Sequence, residues 1–310
     1  MILTVTPNSA LDKILFIEEW IPGTPMRTSK VIKGVGGKGL DASVVLRHLG
    51  VETVGICFVA GRTGEQLLQL LEGYGIIPEP IWVSGETRIA YVISETKHYR
   101  HNHIITGELF VTEEQTEELY QRFKFRVRDA SWVICSGSVP HGIPLTIYRT
   151  LSEYSAQSKV PILVDAAGGF ILEALHAQPA IIKMNWAEFE NTFQVEAENL
   201  DELKEYVGKI YQDKKISALV VTCSSQGILA YSPEGAFHAI APRQDAVNAA
   251  GAGDAVSAAL AWRLSEGDSW FEALRWAGAI SAAVVLTEGT ADCRLQDIRR
   301  IYHDVVVQSI

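Results

Sequence analysis

Val247-Asn248-Ala249-Ala250-Gly251-Ala252-Gly253-Asp254-Ala255-Val256 is a turn of small residues that runs into an acid and then an alanine-rich helix. Gly251, Ala252 and Gly253 carry little side-chain bulk, so an anion can approach their amides closely. The positive end of the following helix points at the same place. A carboxylate at the mouth of such a turn would repel an anion that is merely held there. Asp254 therefore reads as a base, and the combination points to phosphoryl transfer. The plainer reading makes Gly251 and Gly253 a tight turn and Asp254 a helix-capping acid. The rest of the chain decides between them.

With 310 residues, 47% of them hydrophobic and 21% charged, the chain can bury a large core. Its net charge of -10, from 27 basic and 37 acidic residues, suggests neither a nucleic-acid partner nor a membrane surface. An acidic protein that handles anions must gather its cations locally, so clustered Lys and Arg become informative. The start, Met1-Ile2-Leu3-Thr4-Val5-Thr6, reads as a strand and not as a signal peptide. Cys57, Cys135, Cys223 and Cys293 are widely separated and lack metal-ligand spacing, which fits reduced cysteines in a cytoplasmic protein.

Short β-branched runs at 2–6, 53–59, 131–135, 160–165, 180–184 and 218–222 alternate with helical patterns. The helices are expected at 40–49, 63–73, 113–125, 144–156, 199–213, 253–265, 270–286 and 295–308. The alternation predicts an α/β fold in which helices cover both faces of a mostly parallel sheet. Residues 12–34 and 81–105 are extended and rich in turns, with no helical crossover. They are expected to form a small antiparallel sheet beside the main one, a lid on a single domain spanning 1–310. Open α/β sheets bind ligands beyond the carboxyl ends of their strands. Asp165, then Lys183 with Asn185, then Thr222 with Ser224 fall at three such ends.

Gly34-Val35-Gly36-Gly37-Lys38-Gly39 satisfies the dinucleotide pattern GxGxxG, with Glu52 too close for the usual ribose-binding acid. Lys38 within the glycines adds a cation where amides are already exposed, which suits a phosphate. No GxxxxGK[ST] occurs, so the chain is not a P-loop protein.

Together with the turn at 251–254, these motifs resemble those of ribokinase-type (phosphofructokinase B type) carbohydrate kinases. The resemblance is to the branch containing 1-phosphofructokinase, tagatose-6-phosphate kinase and the minor 6-phosphofructokinases. It runs in order through Thr6-Pro7-Asn8-Ser9-Ala10-Leu11-Asp12, Gly36-Gly37-Lys38-Gly39, Thr87-Arg88 and Ser136-Gly137-Ser138-Val139-Pro140-His141-Gly142. It continues through Ile182-Lys183-Met184-Asn185-Trp186-Ala187-Glu188, Gly251-Ala252-Gly253-Asp254 and Glu288-Gly289-Thr290. The fold it implies is a three-layer sandwich with a small β-sheet lid. Asp254 would be the base, and Gly251, Ala252 and Gly253 would offer amides to the phosphoryl group in flight. Asp12, Gly36, Gly37, Asp41 and Ser138 would line the sugar. Lys38, Arg88 and Arg100 would hold a phosphate already on it, a role that suits the guanidinium fork. Lys183, Asn185, Thr222, Ser224, Gly227 and Gly253 would line ATP. Asn185 and Glu188 would serve Mg²⁺, and the same spacing fits a helix capping box. A homodimer through the lid, exposing Ile89, Tyr91 and Ile93, is also implied.

The expected reaction converts a ketohexose monophosphate, namely fructose 1-phosphate, fructose 6-phosphate or tagatose 6-phosphate, to a bisphosphate. The alternatives are a kinase of a free sugar or nucleoside, a non-catalytic sensor, and a dehydrogenase built on Gly34 to Gly39. Asp41 stands where the branch usually has asparagine, Met184 where it has proline and Ser224 where it has glycine. Of these, Asp41 bears on the identity of the sugar. His98, His101 and His103 flank Arg100, but extended alternation puts His98 and His101 on opposite faces, so a metal site is not expected there. One or two of these histidines are expected near the substrate phosphate.

Overall fold

In the computed structural model, residues 1–28, 30–98 and 100–310 are described, with Arg100, His101 and His103 described through their backbone alone. From the N-terminus the elements are β1 (Ile2–Thr6), β2 (Ala10–Ile17), β3 (Lys30–Gly36), α1 (Lys38–His48), β4 (Thr53–Val59), α2 (Gly61–Gly73), β5 (Ile77–Trp82) and the two-residue β6 (Ser84–Gly85). Next come β7 (Arg88–Glu95), β8 (Arg100–Thr106), the two-residue β9 (Leu109–Phe110), α3 (Glu113–Arg126), β10 (Trp132–Ser136), α4 (Ile147–Gln157), β11 (Ile162–Asp165) and α5 (Gly169–Ala174). The remainder is β12 (Ile181–Asn185), α6 (Trp186–Phe193), α7 (Leu200–Asp213), β13 (Leu219–Thr222), β14 (Ile228–Ser232), β15 (Gly235–Ile240), α8 (Ala252–Ser265), α9 (Trp270–Val284), α10 (Leu295–Tyr302) and β16 (Val306–Ser309).

Ten strands form the main sheet in the order β16-β15-β14-β13-β12-β11-β10-β1-β4-β5. The run from β13 to β5 is parallel throughout; β14, β15 and β16 extend it in antiparallel fashion. Strand side chains alternate between two buried clusters. In β1, Ile2 joins one cluster, and Leu3 and Val5 join the other. Residues of α1, α2, α8, α9 and α10 cover the first face, and residues of α3, α4, α5, α6 and α7 cover the second. Each fully buried Leu, Ile or Val contributes about 1.5–3 kcal/mol. These three layers are the arrangement that the alternating pattern predicts.

Helix α8 explains its own composition. Asp254 through Ala261 are all buried, so small side chains are needed where the helix lies between α1, α9 and the sheet. The C-terminal expectation needs correction. The helix expected at 295–308 stops at Tyr302, and Val306–Ser309 pairs with β15 as an edge strand. Ile298, Ile301 and Val305 do keep the helical spacing of buried residues, but the β-branched run Val305-Val306-Val307 favours an extended path along the open edge.

The lid has the order β3-β2-β7-β8. Its outer pairs are antiparallel, but the central β2–β7 pair is parallel, so the sheet is mixed and not purely antiparallel as expected. Between β3 and β7 the chain passes through α1, β4, α2, β5 and β6, and β7 then runs parallel to β2 and opposite to β3. Residues 81 and 82, expected in the lid, end β5 at the edge of the main sheet. Strand β7 lies inside the lid, so Ile89, Tyr91 and Ile93 are half-buried. Among the described residues of the lid strands, the exposed large apolar side chains are Val31 on β3, and Ile104 and Ile105 on β8.

Candidate active site

The Asn248–Asp254 turn is built by side chains on both sides. Asn248 Oδ1 accepts from the Ala250 amide at 3.0 Å, and its Nδ2 donates to the Glu288 carbonyl at 3.1 Å. Gly251 takes φ +84 and precedes α8 without any side-chain cap; the Ala252 amide donates to the Ala249 carbonyl at 3.3 Å, and the Gly253 and Asp254 amides that follow are left for an anion. A Cβ at Gly253 would stand 3.5 Å from Lys183 Nζ, so a lysine faces the same spot as the amides.

Behind the turn lies a group of charges centred on Asp165, which is fully buried. The parallel register of β11 and β12 sets Asp165 opposite Lys183, and Lys183 Nζ reaches Asp165 Oδ2 at 2.6 Å. Lys38, the first residue of α1, approaches Asp165 Oδ1 at 3.1 Å and Glu188 Oε1 at 2.7 Å. Ser257, one turn beyond Asp254, donates to Asp165 Oδ2 at 3.2 Å. Burial opposes the charge on Asp165, but the two lysines outweigh it and hold the carboxyl below its ordinary range. Burial also works against the Lys38 ammonium, and Asp165, Asp254 and Glu188 together raise its pKa. Asp254 itself is pushed up to about 7, by burial first; Lys183 counters this and Asp165 reinforces it. A carboxyl poised there can accept a proton near neutral pH.

On the lid side, Asp12 sits in β2 and is buried. Its Oδ2 accepts from Thr290 Oγ1 at 2.6 Å, and its Oδ1 occupies space that Gly36 leaves empty, since a Cβ there would come within 2.1 Å. Burial pushes Asp12 up to about 6, against the pull of Thr290 and Arg88. Asp41, on the first turn of α1, is buried with Oδ1 lacking any partner. Burial, then the charges of Asp254 and Asp12, drive its carboxyl well above the ordinary range. The structure thus brings Asp12, Asp41 and Asp254 together.

Arg88 opens β7 and donates from Nη2 to the Asn8 carbonyl at 2.7 Å, while its buried Nε has no partner. Asn8 Nδ2 donates to Ser138 Oγ at 3.2 Å. A cleft of about 160 Å³ beside them is lined by Asn8, Arg88, Glu108, Val139 and His141. Lys38, expected on the acceptor phosphate, is paired with Asp165 and Glu188. The expected Arg100, His101 and His103 contacts lie outside the described side chains. His98 Nε2 lies 3.2 Å from Glu19 Oε1 at the end of the lid.

Asn185 and Thr222 pair at the carboxyl ends of β12 and β13. Asn185 Oδ1 accepts from the Glu188 amide at 2.8 Å and Glu188 Oε2 from the Asn185 amide at 2.9 Å, a complete capping box on α6. Ser224 holds φ +50, and a Cβ at Gly227 would strike the Ala239 carbonyl at 2.2 Å. The left-handed backbone at 224 accounts for a glycine being usual at that position. Among the described residues no group of three His, Cys, Asp or Glu is placed to hold a metal. No described helix is long and apolar enough to cross a membrane. All four cysteines are free and buried.

Two site residues have roles that were not foreseen in the sequence. Asp165 was visible as a strand end but not as the hub of two lysines, a role fixed by strand register. Thr290 was visible as part of a motif, but nothing local joins it to Asp12.

Residues 9–297 match the pfkB family of carbohydrate kinases, and the chain belongs to that family. It is an ATP-dependent carbohydrate kinase. It is 28% identical over 292 residues to the D-tagatose-1-phosphate kinase of Bacillus licheniformis, covering 94% of this chain and 95% of that one. It is 27% identical over 289 residues to the 1-phosphofructokinase of Bacillus subtilis, covering 93% of each. Two solved structures share the ribokinase-like fold. Phosphofructokinase-2 of Escherichia coli, in complex with substrates and products, superposes with a TM-score of 0.88 at 22% identity over 98% of each chain. Arabidopsis thaliana ribokinase, complexed with ribose and ATP, gives 0.76 at 19% identity over 97% of this chain and 98% of that one.

Proposed function

We propose that this kinase transfers the γ-phosphoryl group of ATP to a hydroxyl of a ketohexose monophosphate, giving a bisphosphate. The observation that carries the reading is the approach of two sites to one carboxylate. Uncapped amides and Lys183 lie beside Asp254, and Asp254 and Asp12 both lie close enough to Asp41 to act on its charge. Asp254 takes the proton of the sugar hydroxyl, whose oxygen forms the new bond to phosphorus as the bond to the ADP oxygen breaks. The amides of Gly251 and Gly253, with Lys183, stabilise the charge on the transferring group, while the Ala252 amide closes the turn on the Ala249 carbonyl. Lys38, held by Asp165 and Glu188, adds positive charge on that same side. Asp12 accepts from sugar hydroxyls through Oδ1. Arg88, with its unpaired Nε, and Ser138 receive the phosphate already on the sugar. A buried guanidinium nitrogen without a partner favours this acceptor over a free sugar or nucleoside.

Thr222, Ser224 and Gly227 line the nucleotide. Mg²⁺ fits Asn185 and Glu188 through water, because their oxygens are already engaged in the cap and a few carboxylate lone pairs suffice alongside ATP phosphates. There it would neutralise phosphate charge. A homodimer through Val31, Ile104 and Ile105 of the lid edges follows from their exposure, and phosphofructokinase-2 of E. coli has a tetrameric inhibited form. Sedimentation of a Val31→Glu variant tests it. The reaction is tested by ADP release with Mg·ATP and fructose 1-phosphate, fructose 6-phosphate, tagatose 6-phosphate and their free sugars. Turnover confined to a phosphosugar and lost in Asp254→Asn supports the reading; turnover of a free sugar alone, or unchanged turnover in the variant, refutes it.

A further inference from the structure

The loop after α9 ties together the lid, α1 and the Asn248–Asp254 turn. Glu288 pairs with Lys30 of the lid strand β3. The Glu288 carbonyl accepts from Asn248 Nδ2 at 3.1 Å, and the Ala291 amide donates to the Ala250 carbonyl at 3.1 Å. Asp292 lies 3.1 Å from His48 at the far end of α1. Between these anchors, buried Thr290 gives its hydroxyl proton to Asp12 across 278 positions of sequence.

We infer that Thr290 is a positioning residue for the sugar acceptor, fixing Asp12 relative to the anion-binding turn; this rests on the reading of Asp12 as an acceptor ligand. A carboxylate has two oxygens and free rotation about its terminal bond. With Oδ2 taken by Thr290, Oδ1 is turned into the space that Gly36 leaves empty, and it is the oxygen without a side-chain partner. The loop that supplies Thr290 also holds Ala250 and Asn248. The donor to Asp12 and the supports of the Gly251 turn therefore share one rigid segment, and the distance between acceptor and Asp254 is set through it. Charge-assisted hydrogen bonds of this length are strong, and a misplaced acceptor is costly in rate.

The test is a double-mutant cycle on the active ketohexose phosphate of the panel above, with ATP kinetics as the internal control. Thr290→Val keeps the shape and removes the donor. It should raise the acceptor KM about tenfold and leave the KM for ATP unchanged. Thr290→Ser restores the donor and should lie within about twofold of the parent. In an Asp12→Asn background Thr290→Val should add less than about a further twofold, because its route of action is already gone. Thermal melts of all variants report folding, and Thr290→Ala supplies a second donor-free variant should the valine not be accommodated. An unchanged acceptor KM in both donor-free variants would overturn the inference. So would a full additive loss in the Asp12→Asn background, or failure of serine to rescue. A normal acceptor KM in Asp12→Asn alone would remove the reading beneath it, and Thr290's role with it.

Discussion

Replacing Gly251 with alanine should separate the architecture of the anion-binding turn from its chemistry. At φ +84 any Cβ enters the left-handed region, at a cost of about 1–2 kcal/mol. Built on this backbone, that Cβ would stand 2.6 Å from the Ala291 nitrogen and 2.7 Å from its Cα and Cβ. None of these is the end of a flexible side chain, and Ala291 is held by its own bond to Ala250, so the clash cannot be relieved cheaply. Overpacking adds about 1–3 kcal/mol, for a total loss of roughly 2–5 kcal/mol. Gly253→Ala is the control. Its backbone is ordinary, and the nearest atom to an added Cβ is Lys183 Nζ at 3.5 Å, a normal contact. Urea denaturation should place Gly251→Ala well below the parent and Gly253→Ala close to it. Turnover should fall about 10²–10³-fold in Gly251→Ala, as expected when oxyanion donors are lost. In Gly253→Ala it should fall without loss of stability, because the methyl crowds the phosphoryl site. Equal urea midpoints for parent and Gly251→Ala would refute the wedge against Ala291.

Three other outcomes are expected. Turnover should decline as pH drops through about 7, where Asp254 takes up its proton. Folding moves the other way: between about 4 and about 7 native Asp254 holds a proton that the unfolded chain has released, so its contribution to stability shrinks as pH rises. Melts of parent against Asp254→Asn should show that drift, and a constant difference would contradict it. Burial and the charges of Asp254 and Asp12 drive the Asp41 carboxyl towards its neutral form, so Asp41→Asn, which keeps that shape without a charge, should leave the acid limb of the rate profile in place; a limb moved to lower pH would show that Asp41 carries a charge beside the pair. Asp165→Asn leaves Lys38 and Lys183 without their shared counter-charge and should cost about 3–5 kcal/mol by urea denaturation. Because the Asp165 carboxyl is held below its ordinary range, its contribution is present above the unfolded pKa and is lost as pH falls through the native one.

What could be read from the sequence was whatever is local. The turn at 251–254 is contiguous, and Asn185 and Glu188 announce a cap at fixed spacing; both stand where their patterns put them. The parallel sheet was legible because its strands are short β-branched runs between helices. Strand β5 was hidden by Pro78 and Pro80, which only an edge strand tolerates, and β16 by a helical spacing that continues to Val305. The hub on Asp165 depends on the register of β11 with β12, and the tie from Thr290 to Asp12 depends on the whole fold. Lys38 shows the limit most sharply. Its sequence context suggested a phosphate, but the partner it takes was decided by two carboxylates, 127 and 150 positions away.

That separation in sequence also sets a timetable. Asp12 is synthesised 242 positions before Asp254, an interval of roughly tens of seconds at ribosomal rates. Through it β1 can find β4 early and β10 later, but the carboxylate of β2 stands without the loop that orients it. The apolar faces of the lid strands wait equally long for the body they lean on. Activity is thus the last property the nascent chain acquires, and a chain stalled before Thr290 would carry most of the sheet and none of the function.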